Sequence, residues 1–172
     1  MPESSSASGR KLLLWLRDIA IFAVVIFAVM AWQSRNMLDS DGSVSVPQSQ
    51  LVTLSGEVKP MLVTDKPNLI YFFAPWCQIC ALSIDNLEYL NKDRVNVVVI
   101  ALDYQSQEEI EAFVSEHAVL AEVFMGTQEL KQRFQIQGYP SYYLLDESGA
   151  VVSSSFGYST AVGLKLREVF GA

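Results

Sequence analysis

Beyond residue 50, five segments carry the apolar patterns of β-strands. Residues 68–73 and 95–102 are almost continuously apolar, which is typical of strands buried on both faces of a sheet. Residues 51–54 alternate apolar and polar side chains and predict a short strand. Residues 141–145 and 151–155 flank the turn-forming sequence Asp-Glu-Ser-Gly and predict a β-hairpin.

The segments between these strands show helical periodicity. An apolar residue at every third or fourth position predicts a helix from about residue 77 to residue 91. Ser106 and Glu109 have the spacing of a capping box, which predicts a second helix from there to about His117. Two shorter helices are predicted over residues 127–134 and 160–170.

The order of these elements indicates the fold class. A strand–helix–strand unit followed by a hairpin and a final helix predicts an α/β fold, in which helices flank a mixed β-sheet. Residues 68–73 and 95–102 are the expected central strands, because their apolar runs leave no face for solvent. Residues 51–172 therefore form one predicted domain.

The N-terminal part of the chain has a different character. Residues 12–32 are nearly all apolar, and only Arg17 and Asp18 interrupt them. A helix of this length spans about 30 Å, the thickness of a bilayer core. Trp15 and Trp32 lie near its two ends, where indole rings favour the membrane interface. We therefore expect a transmembrane anchor over residues 12–32.

Charge is distributed unevenly along the chain. Residues 1–35 carry four basic and two acidic side chains, a net charge of +2, whereas the remainder carries eight basic and seventeen acidic ones, a net charge of −9. The positive-inside rule then places residues 1–11 in the cytoplasm and the acidic body across the membrane. Nucleic acid is not an expected partner, because an acidic body repels its phosphates.

Two other interpretations of residues 12–32 stay open. A cleaved signal peptide would also export the body, although Met30 and Trp32 make residues 29–31 a poor cleavage site. A buried helix of a soluble protein is the other. We expect a single-pass protein of a bacterial inner membrane, with the body in the periplasm. The polar residues 33–50 are expected to be a flexible linker.

Candidate redox chemistry lies just after the first central strand. Cys77 and Cys80 are the two cysteines of the chain, in the sequence Trp-Cys-Gln-Ile-Cys. A Cys-x-x-Cys at a helix start is typical of redox-active pairs, since one helical turn brings both sulfurs within bonding distance. The helix N-terminus stabilises a thiolate at Cys77 and lowers its pKa, whereas Cys80 lies one turn inside. We expect Cys77 to attack a disulfide and Cys80 to resolve the mixed disulfide that forms.

Other roles for the two thiols are weaker. A structural zinc site needs four ligands, and beyond the two cysteines the chain offers His117, far away in sequence. An inert structural disulfide suits an exported protein, but so small a loop contributes little stabilisation. Pro140 is a second feature, in Gly-Tyr-Pro-Ser before residues 141–145. The spacing of these residues does not by itself decide whether the Tyr139–Pro140 peptide bond is cis or trans.

These motifs together resemble a known family. Residues 72–80 (FFAPWCQIC), with residues 136–141 (IQGYPS) downstream, are similar to the thioredoxin superfamily. The N-terminal anchor and the strand at residues 51–56 resemble its membrane-anchored TlpA/ResA-like branch. Residues 156–167 resemble the copper-sensitivity-suppressor (ScsD-like) proteins within that branch.

The resemblance implies a thioredoxin fold and dithiol–disulfide exchange with other proteins. It implies a cis Tyr139–Pro140 bond facing the cysteine pair, where Pro140 meets the substrate backbone. Trp76 is expected to shield the site. Substrate contacts are expected from Tyr139 and from the two residues between the cysteines, Gln78 and Ile79. Neither a metal nor a cofactor is expected.

Two positions depart from the pattern of thioredoxin itself. Its buried acid, six residues before the first cysteine, corresponds to Tyr71, and the accompanying lysine falls near Val99. The proton relay of thioredoxin is therefore not carried over, and we expect Tyr71 to be a core residue. Gln78 and Ile79 replace Gly-Pro between the cysteines, so the redox potential is not carried over either.

The predicted function is that of an anchored protein-disulfide reductase acting on exported proteins, recharged by a dithiol donor in the membrane. Reduction of apocytochrome c, net oxidation of clients and a copper- or zinc-binding dithiol module are the alternatives. Four glutamates within residues 108–116 predict a solvated helix face, with a partner surface as the alternative.

Overall fold

The computed structural model describes residues 14–25, 28–29 and 37–170. The chain divides into Met1–Arg35 and a folded body, Asn36–Ala172. In the first unit, residues 14–25 and 28–29 are helical. The predicted cytoplasmic residues 1–11 lie outside the described residues, as does part of the predicted span 12–32. None of the helices described meets the combined requirement of length and apolar character for crossing a membrane.

The body is built on one mixed sheet of seven strands, in the order β2-β1-β5-β4-β3-β6-β7. Strand β3 pairs in parallel with β4 and antiparallel with β6, and β4 pairs in parallel with β5. This confirms the predicted mixed sheet. The strands are β1 (Gln50–Thr53), β2 (Val58–Pro60), β3 (Asn68–Phe73), β4 (Asn96–Ala101), β5 (Val123–Met125), β6 (Ser141–Leu145) and β7 (Val151–Phe156).

All six residues of β3 are buried, as its continuous apolar run predicts. The two faces of this strand meet different layers. Phe73 stacks on Phe113 with ring centroids 4.8 Å apart, whereas Phe72 packs against Phe134 at 4.9 Å. Because successive side chains of a strand point to opposite faces, the core occupies both sides of the sheet. β3 ends at Phe73, directly before the loop that carries the cysteines.

The helices of the body are α1 (Gln78–Ser83), α2 (Gln107–Glu116), α3 (Gln128–Arg133) and α4 (Ala161–Phe170), and a 3₁₀-helix spans Ile84–Tyr89. The single helix predicted for residues 77–91 is therefore wrong in its second half. Ile84, Leu87 and Leu90 recur at every third position and are all buried, and a spacing of three matches the 3₁₀ period.

The start of α2 differs from the predicted capping box. Ser106 is the N-cap residue, but its side chain accepts no capping hydrogen bond. Glu109 still reaches back, and its carboxylate accepts from the backbone N–H of Gln105 at 2.9 Å. Only the glutamate half of the capping box therefore forms, and its donor is Gln105, one residue before the N-cap residue that the sequence pattern indicates.

Two strands and a docked segment go beyond the sequence predictions. β2 and β5 have three residues each, too few to show a period. Part of the predicted linker 33–50 belongs to the body, because Val46 is buried and its N–H donates to the carbonyl of Gly149 at 2.8 Å. The N–H of Leu38 also donates to the Tyr143 hydroxyl.

Candidate active site

The two cysteines form a disulfide where β3 passes into α1, with Cα atoms 5.2 Å apart. The loop between strand and helix is closed by a hydrogen bond from the Cys77 N–H to the carbonyl of Ala74 at 3.0 Å. Cys77 is the N-cap residue of α1 and has extended backbone angles, whereas Cys80 lies inside the helix. The disulfide thus bridges the helix start and its first turn.

The pair is asymmetric in hydrogen bonding and in exposure. The N–H of Cys80 donates to the Sγ of Cys77 at 3.1 Å. The same N–H also lies 3.0 Å from the backbone carbonyl of Cys77, so it is shared between the two acceptors, and it stabilises negative charge on that sulfur. Cys77 retains 7% of its surface exposure and Cys80 none. An incoming thiol or disulfide therefore meets Cys77.

The Tyr139–Pro140 peptide bond is cis, as the resemblance implies. Both residues immediately precede β6, in which Ser141 pairs with Phe72 of β3. The sheet register therefore places this bond at the edge where β3 leads into the cysteine loop. The ring of Tyr139 meets that of Trp76 edge-on, with centroids 5.7 Å apart.

Trp76 is 64% exposed, but its indole is held in place. Its Nε1–H donates to the backbone carbonyl of Asp103 at 3.0 Å. Asp103 follows β4 with a positive φ of 49°. Its carboxylate forms an ion pair of 2.5 Å with Lys131, whose ammonium lies 5.9 Å from the centre of the Tyr139 ring. Sequence reasoning missed Asp103 and Lys131, because nothing in their local sequence distinguishes them.

Tyr139 is buried, and its hydroxyl has no hydrogen-bond partner among the described residues. Burial raises the pKa of Tyr139, and the nearby carboxylate of Asp103 raises it further. The hydroxyl therefore stays protonated at neutral pH. Gln78 and Ile79, the residues between the cysteines, are exposed on the same surface and are available for contacts with a client.

A group of hydroxyls lies beneath Cys80. The Tyr71 hydroxyl donates to the carbonyl of Cys80 at 3.2 Å and lies 3.0 Å from the Ser83 hydroxyl. Tyr71 is fully buried, and burial raises its pKa. It therefore stays protonated and is not a base for the thiol of Cys80. Val99 pairs with Tyr71 in the sheet and is itself buried, so no lysine accompanies it there.

His117 is the C-cap residue of α2. It is partly buried and packs edge-on against Phe113, with ring centroids 4.6 Å apart. Within residues 14–25, 28–29 and 37–170, no three His, Cys, Asp or Glu side chains come together as a metal site.

The chain belongs to the thioredoxin-like family, whose profile matches residues 65–151. It is a thiol–disulfide oxidoreductase with a Cys-x-x-Cys pair at Cys77 and Cys80. It is similar to the thioredoxin-like protein YneN of Bacillus subtilis, at 24% identity over 85% of this chain and 91% of the relative. The sporulation thiol-disulfide oxidoreductase A of the same organism is 22% identical, over 83% of this chain and 91% of the relative.

A solved structure shows the same fold. It is a secreted disulfide oxidoreductase of Mycobacterium tuberculosis, described as homologous to E. coli DsbE. The two structures superpose with a TM-score of 0.62 at 20% identity, over 71% of this chain and 95% of the other. The predicted thioredoxin fold is thereby confirmed.

Proposed function

We propose that this chain is an exported, membrane-anchored protein-disulfide reductase. The observation that carries the proposal is the asymmetry of the cysteine pair. Cys77 reaches the surface at the N-cap of α1, whereas Cys80 is fully buried behind it. A client disulfide can therefore meet Cys77 alone, which makes Cys77 the nucleophile and Cys80 the resolving residue.

The reaction transfers two electrons from the enzyme to the client. The Cys77 thiolate attacks one sulfur of a client disulfide, the client S–S bond breaks, and the departing client thiolate takes a proton from water. Cys80 then gives its proton to water and attacks the Sγ of Cys77. The mixed disulfide breaks, the second client thiolate leaves, and the enzyme disulfide forms. A dithiol donor in the membrane reduces this disulfide and is itself oxidised.

The surroundings of the disulfide fit contact with a protein client. Trp76 directly precedes Cys77, and its indole meets the ring of Tyr139 edge-on. Gln78 and Ile79 project beside the reactive sulfur. Pro140 lies at the sheet edge where β3 leads into the cysteine loop, and we expect the backbone of an extended client segment to lie there.

The direction of electron transfer depends on how strongly the Cys77 thiolate is stabilised, because a pair acts as an oxidant when its reduced form is strongly stabilised. In the disulfide form, the Sγ of Cys77 accepts a hydrogen bond from the N–H of Cys80. The reducing direction is part of the proposal, and the reduction potential tests it.

Export and anchoring rest on the sequence. The apolar residues 12–32 carry basic residues on their N-terminal side, whereas the body is acidic. The solved relative from M. tuberculosis is described as secreted. Alkaline phosphatase fused after residue 50 should be active in an intact bacterium, because that enzyme needs an oxidising compartment. An inactive fusion would contradict export.

Trapping of clients tests the reaction. A Cys80→Ser variant lacks the resolving thiol, so exported proteins should accumulate as adducts that a reductant releases. Cys77→Ser is the matched control and should trap none. Metal bound at one equivalent, with no adducts, would instead favour a dithiol metal site.

Equilibration against a glutathione buffer tests the direction. We expect a reduction potential below about −200 mV, in the range of reducing members of the superfamily. A potential near that of strong oxidants, about −120 mV, would reverse the assignment.

A further inference from the structure

A groove of about 650 Å³ opens beside the reactive sulfur. One wall is the cysteine loop and α1, with Trp76, Cys77 and Leu82, and the other is one face of α2. Both helices follow strands that pair in parallel, so both begin at the same edge of the sheet. Cys77 therefore lies at the end of the groove where α2 begins.

The middle of the groove is apolar. Phe113 forms part of its lining and is 4% exposed, whereas Leu82 and Trp76 on the facing wall are 73% and 64% exposed. Large apolar side chains grouped on a surface mark a site for a partner. An apolar client side chain in the groove would lie against this lining.

Two carboxylates of α2 line the same groove. Glu109 lies in the first turn and Glu116 at the helix end. They are seven positions apart, which is about two helical turns, so they share one face at a separation of about 10.5 Å along the axis. Neither carboxylate forms a salt bridge within the described residues. Glu109 accepts from the N–H of Gln105 and retains lone pairs for another donor.

We propose that this groove recognises an extended client segment in which two basic residues, three positions apart, flank an apolar one. The proposal rests on the reductase function and names its preferred substrate. In the extended polyproline II conformation a chain has three residues per turn and rises about 3.1 Å per residue, so residues three positions apart share one face at about 9 Å and match the two carboxylates. The net charge of −7 also attracts basic segments.

Synthetic disulfide peptides test the preference with the reduced full chain in a nonionic detergent. Each peptide carries one cysteine in a disulfide with nitrothiobenzoate, whose release is followed by absorbance. One peptide has lysines three positions apart around a leucine, its isomer has the lysines adjacent, and a third has glutamates in place of the lysines. Two series place the cysteine before or after this segment, because the groove admits either chain direction.

In at least one series, the second-order rate constant for the spaced lysine peptide should be about tenfold larger than that for the glutamate peptide, and about threefold larger than that for its isomer. The advantage should shrink as salt is added, because the carboxylates are open to solvent. Replacing both groove carboxylates (Glu109→Gln with Glu116→Gln) should abolish it. Glu147→Gln removes a charge from a distant turn and should preserve it.

Equal rates for all peptides would overturn the groove proposal and leave the redox function standing. The groove proposal also fails, with the redox function intact, if the double variant keeps the full preference. If the reduced chain releases nitrothiobenzoate from no peptide, the reductase function itself is wrong and the groove proposal fails with it.

Discussion

The hydroxyl of Tyr71 donates a hydrogen bond of 3.2 Å to the backbone carbonyl of Cys80. This contact joins the central strand to the first turn of the active-site helix. The sequence places Tyr71 where thioredoxin has a buried acid and predicts a plain core residue. The structure shows a core residue that also holds the helix, together with Ser83, whose hydroxyl lies 3.3 Å from the same carbonyl.

Tyr71→Phe should therefore cost about 1 kcal/mol of the free energy of unfolding, the usual value of one hydrogen bond. The reactivity of Cys80 should change by less than tenfold, because Ser83 still donates to the carbonyl and Tyr71 is not a base. Urea unfolding and the rate of mixed-disulfide resolution measure the two effects. A tenfold or greater loss of that rate would assign Tyr71 a part in the chemistry.

Lys131→Met should lower the free energy of unfolding by about 1 kcal/mol. It removes the ion pair with Asp103 and the contact with the Tyr139 ring, each worth less than that at a partly exposed site. Lys165→Met is the matched control, since Lys165 is exposed and forms no ion pair within the described body. Denaturation midpoints of the two variants should differ, and equal midpoints would show that the Lys131 contacts contribute nothing.

Gly126→Ala should destabilise the body by about 1–3 kcal/mol, the cost of overpacking a core. A Cβ at this position would lie 2.6 Å from Leu102 Cδ2 and 2.8 Å from the carbonyl oxygen of Ala101. Gly163→Ala, in α4, meets only the Thr160 hydroxyl at 3.3 Å and should change stability by less than about 1 kcal/mol. Thermal unfolding of both variants checks the contrast, which an unchanged Gly126→Ala midpoint would contradict.

Stability should fall steeply at alkaline pH. Burial raises the pKa of Tyr143 to about 12, from an ordinary value of 10.0. The unfolded chain loses the Tyr143 proton at a lower pH than the folded chain does. The contribution of the protonated hydroxyl to the stability of the folded state is therefore complete below pH 10 and is lost as pH rises towards 12. Burial acts in the same direction on Tyr71, Tyr139 and Tyr142.

Unfolding in urea between pH 8 and pH 11 measures this dependence, and tyrosinate absorbance reports the ionisation. Tyr143→Phe should flatten the slope of stability against pH above pH 10, since the variant has one buried hydroxyl fewer. Tyr89→Phe is the control, because Tyr89 is exposed. Tyrosinate formation in the folded protein near pH 10 for all tyrosines would contradict the prediction.

Local patterns predict a large part of this molecule. The bounds predicted for β3 and β6 agree with Asn68–Phe73 and Ser141–Leu145, because strands buried on both faces leave continuous apolar runs. The Cys-x-x-Cys pair likewise lies at a helix start, which the change of period after Pro75 indicates. By contrast, the switch to 3₁₀ geometry at Ile84 and the three-residue strands are not predicted, because short elements carry too few positions for a period.

The sequence alone determined the sheet-and-helix class and the redox pair, since each depends on residues within one or two turns or strands. The tertiary structure decided which distant groups surround that pair. Asp103 and Lys131 are 28 residues apart, and they meet beside Trp76 only because β4, β5 and α3 pack in this order. Strand order and helix packing arise from contacts between distant segments, which no local pattern of apolar and polar residues specifies.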